Sequence, residues 1–405
     1  MTDSSDTSFE QRNPGTTARP LRILVIAPSF DILGGQSVQA ARLIERLRQE
    51  PGLEVGFLPI NPRLPGVLRK LQAIKYVRTI VTSLVYVASL FRRLWSYDVI
   101  HIFSASYFSF VLAPTPAIII GKLYRKKLLL NYHSGEAVDH LRRWRRTAIP
   151  TIKLVDQLVV PSEYLVRVFA EFGLRAKAIY NLIELEKFPF RERRPLRPVF
   201  LSNRNFEVHY GVDRVLRAFA IIQDRIPDAR LIVAGDGPQR ASLQELARDL
   251  RLRNTEFKGR VTHTSVVELY DSADIFLNGS EIDNQPLSIL EAFACGLPVV
   301  TTDAGGIPDM VTSEKTGLVV PMGAYEELAA SALRLFDDPA LAQKIIQQGR
   351  EECEKYQWKV LRHQWLDLYY DLIHAPDARA VLPENRLKPA AAGNADQNRA
   401  KLEKN

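Results

Sequence analysis

Two acidic residues with a helix-forming run between them mark the segment that carries the most candidate chemistry. Asp283 and Glu291 are separated by the seven residues NQPLSIL. Because proline favours the first turn of a helix, we expect a helix over Pro286–Cys295 with Asn284 or Gln285 as its cap. The free N–H groups at the start of such a helix are suited to binding a phosphate group.

The position of Glu291 indicates a different ligand group. It would lie more than one turn inside the helix, which is too far from the helix start for a phosphate contact. A carboxylate there can accept hydrogen bonds from vicinal hydroxyls, such as those of a ribose beside the phosphate. Taken alone, the two acids are equally typical of an amphipathic helix with solvated charges.

Glycine pairs follow two predicted strands. Gly34 and Gly35 follow the first strand, and Gly235 and Gly237 stand in the later run VAGDGP. Glycine lets a backbone turn tightly and approach a ligand, although each pair alone is also typical of an ordinary turn. The Gly-x-Gly-x-x-Gly pattern of a dinucleotide-binding oxidoreductase is not supplied by ILGGQSV, nor fully by AGDGPQR.

Three further side chains, each on the C-terminal side of a predicted strand, could bind a phosphate group or transfer a proton. Arg204 follows the strand PVFLSN, and its forked guanidinium is suited to gripping a diphosphate. His133 follows another strand in the run YHSG, where a structural histidine is the alternative interpretation. His209 can supply a proton or a charge, and a surface histidine is the alternative there.

Alternating strand and helix patterns predict the elements that position these residues. One series begins at Leu21–Pro28 and a second begins near Pro198, with a boundary near residues 182–197. Two such series predict an α/β fold with two Rossmann-like domains and a ligand in the cleft at the carboxyl ends of the strands. The other strands predicted in the first series are Leu53–Leu58, Val99–Phe103, Ala117–Ile120, Lys127–Tyr132 and Gln157–Pro161.

The segment 278–310 resembles the retaining glycosyltransferases of the GT-B fold. That family carries Glu-x7-Glu, then Ala-x-Ala-x-Gly-x-Pro-Val, then Gly-Gly-x-Pro-Glu. This chain has DNQPLSILE, AFACGLPVV and GGIPD in the same order, with Asp283 and Asp309 in place of two glutamates. The run from Ser202 to Ala220 resembles the family's Gly-Arg-…-Lys-Gly segment, with Tyr210 at the lysine position before Gly211.

The resemblance implies roles for these residues. It assigns Asp283 to the donor sugar, Glu291 to the ribose and Arg204 to the diphosphate. The implied catalytic residues are Asp283, Arg204 and His133; the implied donor-binding residues are Gly34, Gly35, Tyr210, Gly235, Gly237, Val261, Pro286, Leu287, Ser288 and Glu291, with Thr262 as a further candidate beside the base.

The resemblance also implies a domain organisation. We expect an N-terminal acceptor-binding domain over residues 21–185 and a nucleotide-sugar-binding domain over residues 186–357. A helix over 358–374 is expected to cross back and complete the first domain. Residues 1–20 and 375–405 are polar and have the composition of disordered tails.

Charge and cysteine content narrow the classes of partner. Between Leu21 and Tyr180 there are 23 Lys and Arg against 10 Asp and Glu, whereas the whole chain carries only +8. A basic N-terminal half favours an anionic partner such as a membrane surface. Nucleic acid is not expected, because no recognised nucleic-acid motif accompanies the charge. Cys295 and Cys353 lack metal-ligand spacing, and neither a metal nor a cofactor is expected.

The run from Leu68 to Trp95 is the candidate membrane contact. Its uncharged stretch between Arg78 and Arg92 has 13 residues, too few to span a bilayer. Basic and aromatic flanks are typical of a helix lying on an anionic bilayer surface. A helix packed on the first domain's core is the equal alternative. We expect a cytoplasmic protein with a peripheral position at the inner face of the membrane.

The resemblance therefore implies a retaining glycosyltransferase, which we expect to move a hexosyl-type sugar from a UDP- or GDP-sugar to a hydroxyl acceptor. The acceptor class expected is a glycan or a polyprenol-linked glycan. Two alternatives stay open. One is a nucleotide-sugar epimerase or hydrolase on the same fold, and the other is a non-catalytic nucleotide-sugar-binding scaffold, which the uncharged Tyr210 would favour.

Overall fold

The computed structural model describes residues 19–31, 34–62, 74–262 and 265–374. Apart from Arg19 and Pro20, the two predicted tails lie outside these residues. Within them, the strands form two parallel sheets of six, with helices between successive strands. The predicted α/β class with two Rossmann-like sheets is therefore confirmed.

The first sheet lies in the N-terminal half and has the strand order β2-β1-β3-β4-β5-β6. Strand β1 is an unbroken apolar run, because a strand of a parallel sheet is covered by helices on both faces. The strands are β1 Leu21–Ala27, β2 Leu53–Pro59, β3 Val99–Ser104, β4 Lys127–Tyr132, β5 Gln157–Val160 and β6 Lys177–Ala178.

The helices of the first half cover both faces of this sheet. They are α1 Gly35–Arg48, α2 Lys75–Arg93, α3 Tyr107–Leu112, α4 Pro114–Leu123, α5 Ala137–Arg143, α6 Arg145–Ile152 and α7 Glu163–Glu171.

One predicted strand of the first half is wrong, because Ala117–Ile120 lies inside α4. Pro114 begins that helix, and Ala117, Ile118 and Gly121 form its buried face. The helix passes so close to β4 that a Cβ added at Gly121 would lie 2.5 Å from the Leu128 side chain. A short apolar run is typical of either a buried strand or a buried helix, and packing decides between them here.

The second sheet has the order β12-β11-β10-β7-β8-β9. Its strands are β7 Val199–Asn203, β8 Arg230–Ala234, β9 Thr255–Gly259, β10 Ile275–Asn278, β11 Val299–Thr302 and β12 Leu318–Val320. Its helices are α8 Val212–Arg225, α9 Arg240–Asp249, α10 Val266–Ser272, α11 Leu287–Cys295, α12 Tyr325–Asp337 and α13 Pro339–Glu352.

The final helix, α14 Trp358–His374, returns to the first sheet. Its buried residues Trp365 and Tyr369 belong to the same apolar cluster as residues of β1 and β3. At its start, Glu50 accepts hydrogen bonds from Trp358 Nε1 at 3.0 Å and Arg362 Nε at 2.8 Å. The helix expected to cross back over residues 358–374 is therefore present and packs on the first sheet.

A buried polar contact joins α14 to the middle of the first sheet. The His101 ring has no solvent exposure, and its Nδ1 lies 2.7 Å from the hydroxyl oxygen of Tyr369. Asn131 Nδ2 lies 3.2 Å from the other ring nitrogen, Nε2. Both nitrogens of a buried imidazole are thus satisfied, one of them only because α14 is docked.

We predict that Tyr369→Phe lowers the free energy of unfolding by about 1–3 kcal/mol, because buried His101 loses a hydrogen-bond partner. Tyr370→Phe is the matched control, since Tyr370 is 40% exposed and its change should stay within about 0.5 kcal/mol. Urea unfolding of both variants measures the difference. Equal stabilities would contradict the structural role given to the His101 contact.

Candidate active site

The candidate residues gather at the carboxyl ends of the second sheet's strands. Arg204 follows β7, Asp283 lies in the loop between β10 and α11, and Ser288 lies in the first turn of α11. In a parallel sheet these ends meet along one edge, which is where open α/β sheets bind their ligands. Residues far apart in sequence are thereby placed in one site.

Arg204 is the centre of this group. Its Nη2 forms a largely buried ion pair with Asp283 Oδ2, and its Nη1 donates to Ser288 Oγ at 3.2 Å. The guanidinium carbon also lies 4.1 Å from the centroid of the Tyr210 ring, a distance typical of a cation–π contact. Arg204 is therefore held from three sides at the start of α11.

Tyr210 supports Arg204 without adding a charge. Burial, the largest cause, raises the pKa of the Tyr210 hydroxyl above its ordinary value, and the nearby Asp283 carboxylate acts in the same direction. The hydroxyl therefore stays protonated at neutral pH. The aromatic face orients the one cation of this group.

The start of α11 differs from the sequence prediction by one residue. Pro286 is the N-cap, with an extended backbone, and Leu287 is the first helical residue. Neither Asn284 nor Gln285 is the cap, because Pro286 holds the N-cap position and has no side chain that can accept a hydrogen bond. The first-turn N–H groups of Leu287 and Ser288 are consequently without a side-chain cap beside Arg204.

Glycines surround the backbone of the loop that carries Asp283. A Cβ at Gly305 would lie 2.1 Å from the Asp283 carbonyl oxygen, and a Cβ at Gly306 would lie 2.2 Å from the Asn284 carbonyl oxygen. Before the loop, a Cβ at Gly211 would lie 1.8 Å from the Gly279 carbonyl oxygen. No other residue permits such approaches, so these glycines fix the path of the loop.

The glycine turn after β8 supports the loop that carries Arg204. Gly235 has a φ of +136°, and a Cβ there would lie 1.9 Å from the Arg204 carbonyl oxygen. A Cβ at Gly237 would lie 2.6 Å from the Phe206 carbonyl oxygen. Both glycines thus contact protein backbone. The predicted base-site residues lie after β9, where Val261 packs on the apolar core and Thr262 is exposed.

The first domain meets this site through its own loops. Asn284 Nδ2 donates to the His133 carbonyl oxygen at 3.0 Å, and a Cβ at Gly135 would lie 2.8 Å from the Ile282 side chain. At the start of α1, a Cβ at Gly35 would lie 3.8 Å from Leu287, whereas one at Gly34 would have no atom of the described residues within 4 Å.

The His133 ring stacks on the Phe103 ring at a centroid distance of 5.1 Å, and its buried Nε2 has no hydrogen-bond partner among the described residues. Burial lowers the pKa of His133 to about 3. The imidazole is therefore neutral at physiological pH. It is suited to a hydrogen bond and not to holding a positive charge.

Glu291 is buried in the middle of α11 and faces the first domain. Its Oε1 accepts a hydrogen bond from Arg42 Nη2 of α1 at 3.0 Å. The contact joins α1, which follows the first glycine loop, to α11, which carries the residue predicted to bind the ribose. Sequence patterns alone gave no indication of this partner.

Two other contacts between the sheets were not predicted from the sequence. Gln285 accepts a hydrogen bond from the Asn181 backbone N–H at 2.5 Å and another, through its carbonyl, from Asn181 Nδ2 at 3.0 Å. Asp309 accepts from the Tyr164 N–H at 2.6 Å and from Arg167 Nη2 at 3.1 Å. No local pattern in the sequence indicated either partner.

Comparison with protein families agrees with this geometry. Residues 33–187 match the model described as Glycosyltransferase Family 4, and residues 185–352 match the model described as Glycosyl transferases group 1. The two matches cover the second sheet, the first sheet apart from β1, and the loops of the site. The chain belongs to the family 4 type of GT-B glycosyltransferases. Both matches are to glycosyltransferase models, so the chain is a transferase.

Three proteins illustrate what this chain resembles, two in sequence and one in fold. The glycosyltransferase is 27% identical to the sulfoquinovosyl transferase SQD2 of Arabidopsis thaliana, over 88% of this chain and 75% of that one. It is 32% identical to a GDP-mannose-dependent monoacylated phosphatidylinositol monomannoside mannosyltransferase of Corynebacterium glutamicum, over 40% and 45%. The fold matches Anabaena HepE in complex with UDP-glucose with a TM-score of 0.69 at 17% identity, over 87% and 100%.

We predict that the buried histidines are neutral well below their ordinary pKa of 6.5. Burial lowers the pKa of His101 to about 3, as it does for His133. Between pH 6.5 and 3 the unfolded chain binds more protons at these sites, so their contribution to stability is complete above pH 6.5 and falls on acidification.

Histidine NMR titration measures this directly, because it separates the rings from the carboxylates that also titrate in acid. The ring signals of His101 and His133 should not shift between pH 8 and 5. A midpoint near pH 6.5 for either ring would contradict the burial on which the prediction rests.

Proposed function

We propose that this glycosyltransferase moves a sugar from a nucleoside-diphosphate sugar to a hydroxyl acceptor with retention of configuration. The observation that carries the proposal is the placement of Arg204 and Asp283 at the uncapped start of α11. The cation and the helix N–H groups are suited to the diphosphate, and the carboxylate is suited to a sugar hydroxyl.

The proposed chemistry is stabilisation of the departing diphosphate. Arg204 and the N–H groups of Leu287 and Ser288 neutralise the charge that develops as the sugar–phosphate bond breaks. The acceptor oxygen bonds to the anomeric carbon on the face that the diphosphate leaves, and a phosphate oxygen of the leaving group takes the proton of the acceptor hydroxyl. Retention follows without an enzyme carboxylate as nucleophile, and no metal or cofactor is required.

The other side chains bind and orient the donor. Glu291 accepts hydrogen bonds from the ribose hydroxyls, and neutral His133 binds the donor sugar from the first domain. Tyr210 replaces a second cation, and its contact with Arg204 keeps that guanidinium directed at the diphosphate. The shorter side chain of Asp283 is offset by the close glycine packing that fixes its backbone.

We predict that Arg204→Ala and Asp283→Ala each lower the transfer rate by about 10²–10³-fold, because each removes a preorganised group that contacts the reacting part of the donor. The control is Arg334→Ala, which removes an exposed cation whose ion pair within the described residues is with Glu314. Transfer and hydrolysis of radiolabelled UDP- and GDP-sugars measure the rates. Unchanged turnover in both site variants would contradict the site assignment.

Thermal stabilisation by UDP-, GDP- and ADP-sugars identifies the donor before the kinetic assay, because a ligand that binds only the folded state raises the melting temperature. A donor that stabilises the protein but is not turned over with any acceptor would favour the scaffold alternative. Conversion of the donor sugar in the absence of an acceptor would favour the epimerase or hydrolase alternative.

We further propose that the acceptor is lipid-linked and that the first domain binds an anionic membrane. One face of α2 presents the exposed apolar residues Ile80, Leu84 and Phe91, and Trp95 follows it at 66% exposure. The adjacent α4 adds Ile119 and Leu123, both exposed. The opposite face of α2 packs on the core through Tyr86 and Leu90, so the proposed membrane contact uses only the exposed face.

Basic residues border this apolar face. Arg78 and Arg92 are exposed on α2, and Arg125 is exposed after α4. Each basic residue near an anionic bilayer contributes about 1 kcal/mol, and the attraction is weakened by salt. No helix within the described residues is both long and apolar enough to cross a bilayer. A peripheral position on the cytoplasmic face is the arrangement that we propose.

We predict that the protein sediments with vesicles containing phosphatidylglycerol and not with pure phosphatidylcholine vesicles. Salt at about 0.5 M should release it, because the Debye length then falls below about 5 Å and the attraction between the charges is screened. The triple variant Ile80→Ser, Leu84→Ser and Trp95→Ser should bind at least about tenfold more weakly, since it loses the apolar contact with the bilayer.

The matched control changes exposed apolar residues elsewhere, Met322→Gln and Val360→Gln, and should keep the affinity for vesicles. Loss of vesicle binding in the control, or its retention in the triple variant, would contradict the assignment of this face. Absence of binding to anionic vesicles would contradict the membrane proposal and leave the donor site unaffected.

A further inference from the structure

The carboxylate assigned to the ribose is bound by a cation from the other domain. Glu291 lies on α11 of the second sheet, and Arg42 lies on α1 of the first. Their side chains are each 9% exposed, and Arg42 Nη2 donates to Glu291 Oε1 at 3.0 Å. This contact uses Oε1 of the carboxylate, and the buried Tyr270 hydroxyl is a second neighbour of the same carboxylate.

Arg42 is itself held by the segment that links the two sheets. Its Nη1 donates to the Leu182 carbonyl oxygen at 3.3 Å, and its Nε lies 3.7 Å from Glu184 Oε2. Its guanidinium carbon is 5.7 Å from the Phe188 ring centroid. A guanidinium with a separate partner for each nitrogen has one orientation, unlike a cation in an exposed surface pair.

A neighbouring side chain strengthens the same attachment. Gln39, one turn before Arg42 on α1, donates from Nε2 to the Leu182 carbonyl oxygen at 2.8 Å and accepts the Leu182 N–H at 2.8 Å. The start of α1 is thereby fixed to the linker. The orientation of Arg42 is consequently set by the way the two domains meet.

We propose that Arg42 is a positioning residue for nucleotide recognition, which it serves by fixing the Glu291 carboxylate. Oε1 is occupied by Arg42, and Oε2 is left to accept the ribose hydroxyls. The ribose is thus recognised by a pair built from both domains, and the site recognises it fully only when α1 and α11 are together. This inference rests on the proposed function, in which Glu291 binds the ribose.

The test compares nucleotides that differ by one hydroxyl. Calorimetry measures the affinities of UDP, GDP and their 2′-deoxy forms for the wild-type protein, Arg42→Met and Arg46→Met. A hydrogen bond to a charged group is worth about tenfold in affinity, so the wild type should prefer the ribonucleotide by about that factor. The preference should fall to about twofold or less in Arg42→Met.

Arg46→Met is the matched control. Arg46 lies one turn further along α1 and pairs with Glu184 and Glu186, not with Glu291. The control should keep the tenfold preference even where its overall affinity or stability changes. A role of Arg42 in stability alone would weaken both nucleotides equally and leave the ratio unchanged.

Two further variants keep the test decisive if Arg42→Met does not fold, since that change leaves Glu184 and Glu291 buried without their shared cation. Arg42→Lys keeps the charge but lacks the fork, and should show an intermediate ratio. Glu291→Gln should lose the preference, and adding Arg42→Lys to it should change the ratio no further.

The outcomes separate this inference from the proposed function. If the wild type binds neither nucleotide, or binds ribo and deoxy forms equally, the proposed role of Glu291 fails and the inference fails with it. If the wild type discriminates and the folded Arg42 variants discriminate equally well, only the inference is overturned.

Discussion

The site depends on backbone segments that approach each other more closely than side chains would allow. The loop carrying Asp283 lies against Gly305 and Gly306 on one side, and the strand end before it lies against Gly211. Each approach is closer than a Cβ atom permits. The acid that faces Arg204 is therefore placed by the missing side chains of its neighbours. A shorter acid at this position is compatible with a rigid loop.

The electrostatics of the site follow from this rigid frame. Arg204 has an acid, a hydroxyl and an aromatic ring around it, and the uncapped start of α11 adds oriented N–H groups beside it. Charge developing on a departing phosphate would meet groups that are already in position, with little reorganisation during the reaction. The uncharged Tyr210 contributes to this arrangement through its geometry.

Local signals in the sequence predicted much of the fold and the centre of the site. These signals can be recognised from residues that are neighbours in the sequence. They are the apolar runs of β1 and β4, the proline before α11, and the order of the acids and glycines around that helix. The strand predicted over Ala117–Ile120 was wrong because four apolar residues are equally typical of a buried strand and a buried helix. The predicted start of α11 at Pro286 was one residue too early, which is within the usual uncertainty of a helix end.

The contacts between the two sheets were not predictable in the same way. Arg42 and Glu291 are 249 residues apart, and Asn181 and Gln285 are 104 apart. Periodicity indicates which face of a helix is buried but not which residue of another domain it will meet. Arg42 belongs to a helix whose pattern is that of an ordinary amphipathic segment, so its burial follows only from the assembled fold.

The return of α14 to the first sheet affects how the chain is made. During synthesis, β3 and its buried His101 emerge more than 250 residues before Tyr369, and the whole second sheet is translated in between. At about 5–20 residues per second this takes on the order of 10–50 seconds. Throughout that time one face of the first sheet lacks its final covering helix, and a ribosome-associated chaperone would have an apolar surface to bind.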